Sequence, residues 1–233
     1  EGNFGYVKSF LSFAPTFLIM EAKNEVKGRI QEKAEELFMQ YGIRSVSMDD
    51  IAAQLGMSKK TLYQYFNDKD KLVDVVVDAE LDKGRCECAA CLQYSKNAVE
   101  EIFFTMEHIA NPFSQINPVL LFDLEKFHPA SFQKFLKHKN EFLLEIVRKN
   151  IERGIAEELF RPEINADIIS RFRIESVMMA FNLSVFPAKK YSLLEVTQEI
   201  IDHYLYGLAT IKGHKLILKY KEQRKKIKYE NKN

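Results

Sequence analysis

The sequence GIRSVSMDDIAAQLGMSKKTLYQYFNDKDKLV occupies residues 42–73 and predicts two short helices joined by a tight turn. Ser47 is a favourable N-cap for the first helix, and Asp50, three residues later, stands where a capping box needs an acidic side chain. Ser58 caps the second helix. Gly56, between the two helices, can adopt backbone angles that other residues resist. We interpret this stretch as a helix-turn-helix.

The outer side of the second short helix combines lysines, a threonine, tyrosines and a glutamine, with no acidic residue. Such a face can enter a DNA major groove, which is lined by phosphates and base edges. Free N–H groups at the helix N-termini favour phosphate oxygens, and a lysine that opens the next helix can also reach the backbone. The predicted DNA-binding residues are Ser47, Ser58, Lys59, Lys60, Thr61, Tyr63, Gln64, Tyr65 and Lys69.

The whole chain is predicted to be all-α. Apolar residues at three- and four-residue steps predict a helix from about Asn24 to Tyr41, which Gly42 should end. Another helix is predicted to begin after Asn67 or Asp68. Longer patterns predict helices near 96–110, 113–127, 130–154, 165–183 and 192–211, separated by Pro112, Pro129, Pro162 and Pro187. The predicted organisation is an N-terminal extension (1–23), a three-helix helix-turn-helix domain (24–67), a larger helical domain (68–211) and a basic tail (212–233).

Charge is distributed unevenly along the chain. Residues 212–233 contain nine Lys or Arg and two Glu, whereas the other 211 residues carry a net charge of −6. Most of the protein is therefore not a general polyanion binder, and contact with DNA must be local. The tail is expected to be either a solvated, disordered end or a source of non-specific attraction to DNA. Its apolar residues Leu216, Ile217 and Leu218 could also extend the last helix or dock against another part of the chain.

Three clustered cysteines, Cys86, Cys88 and Cys91, argue against a secreted disulfide framework and favour a reducing, cytoplasmic location. On a helix the first two point about 200° apart, so the three thiols would not share one ion. We therefore predict no metal and no other cofactor, with thiol sensing as an alternative. The apolar residues 10–20 are too few to span a bilayer, so no membrane partner is expected. Met20, before a polar helix opening, is a candidate natural start.

Residues 24–75 resemble the DNA-binding segment of TetR/AcrR-type transcriptional regulators. The matching positions, at the family's spacing, are Ser47, Ile51, Ala52, Gly56, Ser58, Thr61, Leu62, Tyr63, Phe66, Lys69 and Leu72. About ten positions agree in register, which makes the resemblance specific. Beyond residue 75 it depends mainly on chain length and on the helix pattern.

The resemblance implies a role for most of the predicted DNA-binding residues. Lys59, Lys60 and Thr61 would approach bases, and Gln64 could also read a base. The residues expected to hold phosphates are Ser47, Tyr63, Tyr65 and Lys69. Asp49 departs from the pattern, because some members carry a basic, base-reading residue at that position.

The resemblance also implies that the larger domain binds a small-molecule effector and forms a homodimer. The dimer surface is expected on the helices near 165–183 and 192–211, with an ordinary monomeric core as the alternative. The effector is expected to be largely apolar, because aromatic and thioether side chains suit apolar ligands. The candidate pocket residues are Phe103, Met106, Phe122, Phe127 and Met178.

These features predict a ligand-responsive DNA-binding transcription regulator, in the usual mode a repressor released from its operator by a small molecule. An activator of the same architecture is an alternative, and so is a helical interaction protein without a DNA role. No enzyme is predicted, because the sequence shows no glycine-rich phosphate loop, no nucleophile elbow and no His-Glu-x-x-His motif.

Overall fold

The computed structural model of the chain describes residues 24–230, without the side chains of residues 108–115 and 225–230. The proposed extension, with its candidate start at Met20, lies outside these residues. Within them the regular structure is helical, apart from an isolated antiparallel bridge between Phe160 and Ala209. The helices are α1 (residues 24–41), α2 (Met48–Gln54), α3 (Lys59–Tyr63), α4 (Lys69–Tyr94), α5 (Ala98–Gln115), α6 (Leu120–Phe127), α7 (Pro129–Lys137), a π-helical segment (His138–Leu143), α8 (Leu144–Ala156), α9 (Ala166–Met179), α10 (Leu193–Leu208) and α11 (Ile211–Glu230). The prediction of an all-α fold is confirmed.

The chain forms two compact units, of which the first ends at Val76 and the second begins at Val77. The domain boundary expected from the sequence falls at residue 68, one residue before α4 begins. The first two turns of α4 instead belong to the first unit, and their apolar residues Leu72, Val73 and Val76 are buried. Burial of one face of α4 therefore extends the first unit by about two helical turns.

Two glycines determine the turns of the first unit. Gly42 ends α1 with φ of +82°, and its N–H donates a 2.9 Å hydrogen bond to the carbonyl of Phe38. Gly56 follows α2 with φ of +65°. Since an added Cβ at Gly56 would meet no atom within 4 Å, the requirement for glycine there is conformational and not steric. Both glycine turns predicted from the sequence are confirmed.

The main core of the second unit lies where α5, α10 and α11 pack together. The buried residues of this core are Ala98, Val99, Ile102, Phe103, Leu159, Phe160, Ile201, Tyr204, Leu205, Leu208 and Ile217. The expectation of a solvated tail is wrong, because α11 contributes a completely buried Ile217 to this core. The Asn97 side-chain amide also donates a 2.8 Å hydrogen bond to the hydroxyl of Tyr220 in α11.

Some predicted helix boundaries are also wrong. Helix α5 continues through Pro112 to Gln115, so this proline does not separate two helices. A proline inside a helix removes one backbone hydrogen-bond donor, and α5 continues past this loss. The helix predicted near 130–154 is present as one continuous run from Pro129 to Ala156, in which His138–Leu143 is π-helical. Along the described residues, no helix combines the length and the apolar character needed to cross a bilayer.

Candidate nucleic-acid interface

A complete capping box begins α2. The Ser47 hydroxyl accepts a 3.2 Å hydrogen bond from the backbone N–H of Asp50, and the Asp50 carboxylate accepts a 2.8 Å bond from the Ser47 N–H. The Ser47 hydroxyl also donates to this carboxylate at 2.6 Å, and this bond is the main reason that the pKa of Asp50 lies below its usual value. The predicted cap is confirmed, and it determines where α2 begins.

Helix α3 is short and is held at both ends. At its start the Ser58 hydroxyl accepts a 3.1 Å hydrogen bond from the Thr61 N–H and lies 2.8 Å from the Thr61 hydroxyl. Leu62 and Phe66 are buried on the inner side. This packing leaves the outer side of α3 in solvent. The exposed predicted DNA-binding residues are Ser47, Ser58, Lys59, Lys60, Tyr63 and Gln64, while Thr61 and Tyr65 are partly buried.

One carboxylate lies on this outer face. The Asp49 carboxylate, from α2, accepts a salt bridge from the Lys59 ammonium at 2.8 Å, and both side chains are exposed. The hydrogen bond to Asp49 raises the pKa of Lys59. The same ammonium lies 5.9 Å from the centre of the Tyr63 ring. Helix α3 has no acidic residue of its own, but the adjacent helix supplies one. Asp49 departs from the family pattern in the sequence, but its position beside Lys59 is evident only in the folded structure.

Lys69 points toward the interior of the first unit. Its ammonium donates a hydrogen bond to the backbone carbonyl of Ile43 and lies 5.9 Å from the centre of the Phe38 ring. Lys69 is partly buried and so links the start of α4 to the turn after α1. This contact gives Lys69 a structural role, whereas its contact with phosphate stays a prediction.

The predicted pocket residues do not come together in one place. Phe103 is buried in the main core of the second unit, and Met106 packs against the same core. Phe122 and Phe127, on α6, are 55% and 37% exposed. Met178, on α9, is partly buried. Phe103 and Met106 therefore remain candidates for the lining of a pocket, whereas the two α6 rings lie at the surface of the second unit.

The three cysteines lie on α4 and differ in exposure. Cys86 is exposed, Cys88 is intermediate and Cys91 is buried. Burial raises the pKa of Cys88 to about 11 and also raises the pKa of Cys91. A thiol with a raised pKa is a poor nucleophile near neutral pH, which disfavours thiol sensing at these two positions. Among the described side chains, no group of three or more His, Cys, Asp or Glu residues could hold a metal ion.

The fold and this face define a class of protein, a helix-turn-helix DNA-binding regulator. Residues 30–76 match the family model for bacterial regulatory proteins of the tetR family. The HTH-type transcriptional regulator YvaF of Bacillus subtilis is 26% identical over 186 residues, which cover 78% of this chain and 94% of that protein. The HTH-type transcriptional repressor KstR2 of Mycobacterium tuberculosis is 25% identical over 155 residues, covering 64% of this chain and 76% of that protein.

Solved structures show the same fold. A TetR-family regulator from Agrobacterium tumefaciens aligns with a TM-score of 0.68 at 18% identity, covering 81% of this chain and 100% of that chain. The structure of KstR2 aligns with a TM-score of 0.55 at 22% identity, covering 79% of this chain and 95% of that chain. Residues 30–76 therefore match the DNA-binding segment of TetR-family regulators, and the chain as a whole is similar to helix-turn-helix transcription regulators.

Proposed function

We propose that the protein is a homodimeric repressor that binds operator DNA and is released from it by a small molecule. The DNA-binding part of this proposal depends on one observation. Helix α3 is capped at its start and packed on its inner side, and Lys60, Tyr63 and the C-cap residue Gln64 are exposed to solvent. A recognition helix needs this combination of a fixed backbone and exposed polar side chains to meet base edges in a major groove.

The predicted residues have different tasks on DNA. Lys60 and Gln64 are exposed and are the best placed to meet bases or phosphates directly. Lys59 reaches DNA only in competition with its salt bridge to Asp49. Tyr63 and the caps Ser47 and Ser58 would contact phosphates, which position a protein on DNA without reading its sequence.

A dimer surface is supported by an apolar stripe on α9. Ile168, Phe172 and Met179 are 60%, 54% and 44% exposed, and their spacing of four and seven residues places them on one side of the helix. Contiguous apolar side chains on a helix surface are typical of an interface with another molecule. Helix α10 was expected to share this surface, but most of its apolar residues are buried within the chain's own core. We therefore assign the larger part of the interface to α9.

Two related structures support an effector. The KstR2 structure is described as a ketosteroid transcriptional regulator. A regulator from Saccharomonospora viridis, aligned with a TM-score of 0.64 at 16% identity, was solved in complex with choline. In the present chain α4 runs without interruption from Lys69 to Tyr94 and is shared by the two compact units. A ligand that changes the position of this helix would alter DNA affinity, and couplings of this kind are typically about 1–3 kcal/mol.

The DNA-binding proposal is tested by selecting genomic DNA fragments with the full chain and measuring affinity for the selected fragments by fluorescence anisotropy. Lys60→Glu should weaken binding by about tenfold or more, because it replaces an attraction to phosphate by a repulsion. Lys215→Glu, at an exposed lysine of α11, makes the same change of charge and should have a much smaller effect. Equal losses in the two variants, or no selected DNA, would favour a helical interaction protein without a DNA role.

The dimer proposal is tested by the mass of the full chain in solution. Phe172→Lys should convert a dimer to a monomer, because it places a charge in the centre of the apolar stripe. Phe122→Lys is a matched control, since Phe122 is 55% exposed on α6 and Phe172 is 54% exposed on α9. If the wild-type chain is monomeric by light scattering, or if the two variants behave alike, α9 does not form the interface.

A further inference from the structure

Arg173, on α9, is a shielded cation without a carboxylate partner among the described side chains. Its Nη1 atom is closed off from solvent and makes no hydrogen bond. The guanidinium carbon lies 5.2 Å from the centre of the Tyr204 ring, on α10. Burial lowers the pKa of Arg173 to about 10, and among the described side chains Tyr204 is the group that acts against this effect. By contrast Arg171, on the same helix, forms a salt bridge with Asp167.

Helix α10 contributes two buried hydroxyls that also make no hydrogen bond to any described residue. These are the Tyr204 hydroxyl and the Thr197 Oγ1, and their residues are 5% and 0% exposed. The two residues are seven positions apart and therefore lie on the same side of α10. Burial raises the pKa of Tyr204, so its hydroxyl remains a neutral hydrogen-bond donor at physiological pH.

The Arg173 guanidinium and the hydroxyls of Tyr204 and Thr197 all need hydrogen-bond partners. A guanidinium can only donate hydrogen bonds, and a tyrosine hydroxyl usually finds a partner when it is buried. A shielded cation without a counter-charge is costly unless an anion joins it. The surroundings are apolar, since Ile201 and Leu205 are completely buried on the same helix. The missing partner should therefore carry one negative charge and hydrogen-bond acceptors on an otherwise apolar body.

We propose that the effector is a monoanionic carboxylate with an apolar body, and that its carboxylate pairs with Arg173 and accepts a hydrogen bond from the Tyr204 hydroxyl. Planar guanidinium and carboxylate groups match in geometry and can form two parallel hydrogen bonds. The inference rests on the proposed function, because it names the ligand class of the sensing domain. It refines the expectation of a largely apolar effector. The residues that hold the effector would lie where α9 contacts α10, and not on α5 and α6 as first expected.

The test compares acids with their uncharged analogues on the full-length protein. Decanoate and phenylacetate are the probes, with decanol and phenylethanol as neutral controls of similar apolar bodies, and the readout is the Tm. At least one acid should raise the Tm of the wild type by about 5 °C near saturation, with a smaller effect of its alcohol. Arg173→Met and Tyr204→Phe should weaken binding of that acid by about tenfold or more. Arg148→Met, at an exposed and paired arginine, should leave it unchanged.

A second measurement requires no ligand. Without any acid, Arg173→Met should melt about 3 °C above the wild type, because methionine removes an uncompensated shielded charge. A lower Tm of Arg173→Met, equal effects of acids and alcohols, or no effect of either acid would overturn the proposal. Loss of the dimer in Arg173→Met with an unchanged response to acid would do so as well and would place Arg173 at the subunit interface.

Failure of this inference is separable from failure of the proposed function. DNA binding of the ligand-free Arg173→Met variant should stay within about twofold of the wild type, because Arg173 lies outside the compact unit that carries α3. If the wild type binds DNA and ignores the acids, only the carboxylate proposal is wrong. If the wild type binds no DNA, the proposed function is wrong whatever the acids do.

Discussion

Removal of the Asp49 carboxylate should strengthen DNA binding in a manner that depends on salt. In the free protein this carboxylate pairs with the Lys59 ammonium at 2.8 Å, on the exposed face of α3 that we propose meets DNA. Asp49→Asn leaves a side chain of the same size and frees one lysine per subunit, or two per dimer. The logarithm of the affinity for DNA falls with the logarithm of the salt concentration by about 0.9 per phosphate neutralised, so the slope should steepen by about 1.8.

The steeper slope makes the affinity gain of Asp49→Asn depend measurably on the salt concentration. Between about 50 and 200 mM salt, a slope steeper by about 1.8 makes the affinity gain of Asp49→Asn about tenfold larger at the lower concentration. Fluorescence anisotropy of one selected DNA fragment across that range measures it. Glu125→Gln, which removes an exposed carboxylate from α6, is the control and should leave the slope unchanged. An unaltered slope for Asp49→Asn would refute the idea that Lys59 is withheld from phosphate.

Two further predictions concern the second unit. Gly213→Ala should destabilise the protein by about 3 kcal/mol in a urea titration, because its Cβ would lie 2.1 Å from the Leu159 carbonyl oxygen. Gly207→Ala is the control and should be neutral or slightly stabilising, because its Cβ meets no atom within 4 Å. In a thiol titration near pH 8, the exposed Cys86 should react first and Cys88 slowly, because a pKa of about 11 leaves few Cys88 thiolates. The reaction rate of Cys88 should rise about tenfold per pH unit. Equal rates for the two cysteines would contradict the burial of Cys88.

Local chemistry in the sequence was sufficient to predict the helix-turn-helix. The Ser47 and Ser58 caps and the positive φ of Gly42 and Gly56 are decided within a few residues of each position, and all were predicted. The same applies to the apolar spacing that places Leu62 inside. The all-helical class follows from the same short-range patterns.

Features that depend on distant partners could not be predicted. The lysines of the tail indicate a solvated segment, but the buried Ile217 shows that tertiary packing decides its structure. The salt bridge between Asp49 and Lys59 joins two helices across the turn, which a helical-face analysis of α3 alone does not reveal. Arg173 was not singled out, because a lone arginine in a helix normally lies in solvent and only its surroundings identify it as shielded and unpaired.

Whether α3 reads DNA is decided by a footprint of the full-length wild type and of Lys60→Glu on a selected DNA fragment. We expect two protected major-groove segments in the wild type, centred about one helical turn or a multiple of it apart. Both should vanish in Lys60→Glu, while its helical circular dichroism and melting stay like those of the wild type. Protection by Lys60→Glu that matches the wild type would contradict the claim that α3 reads DNA.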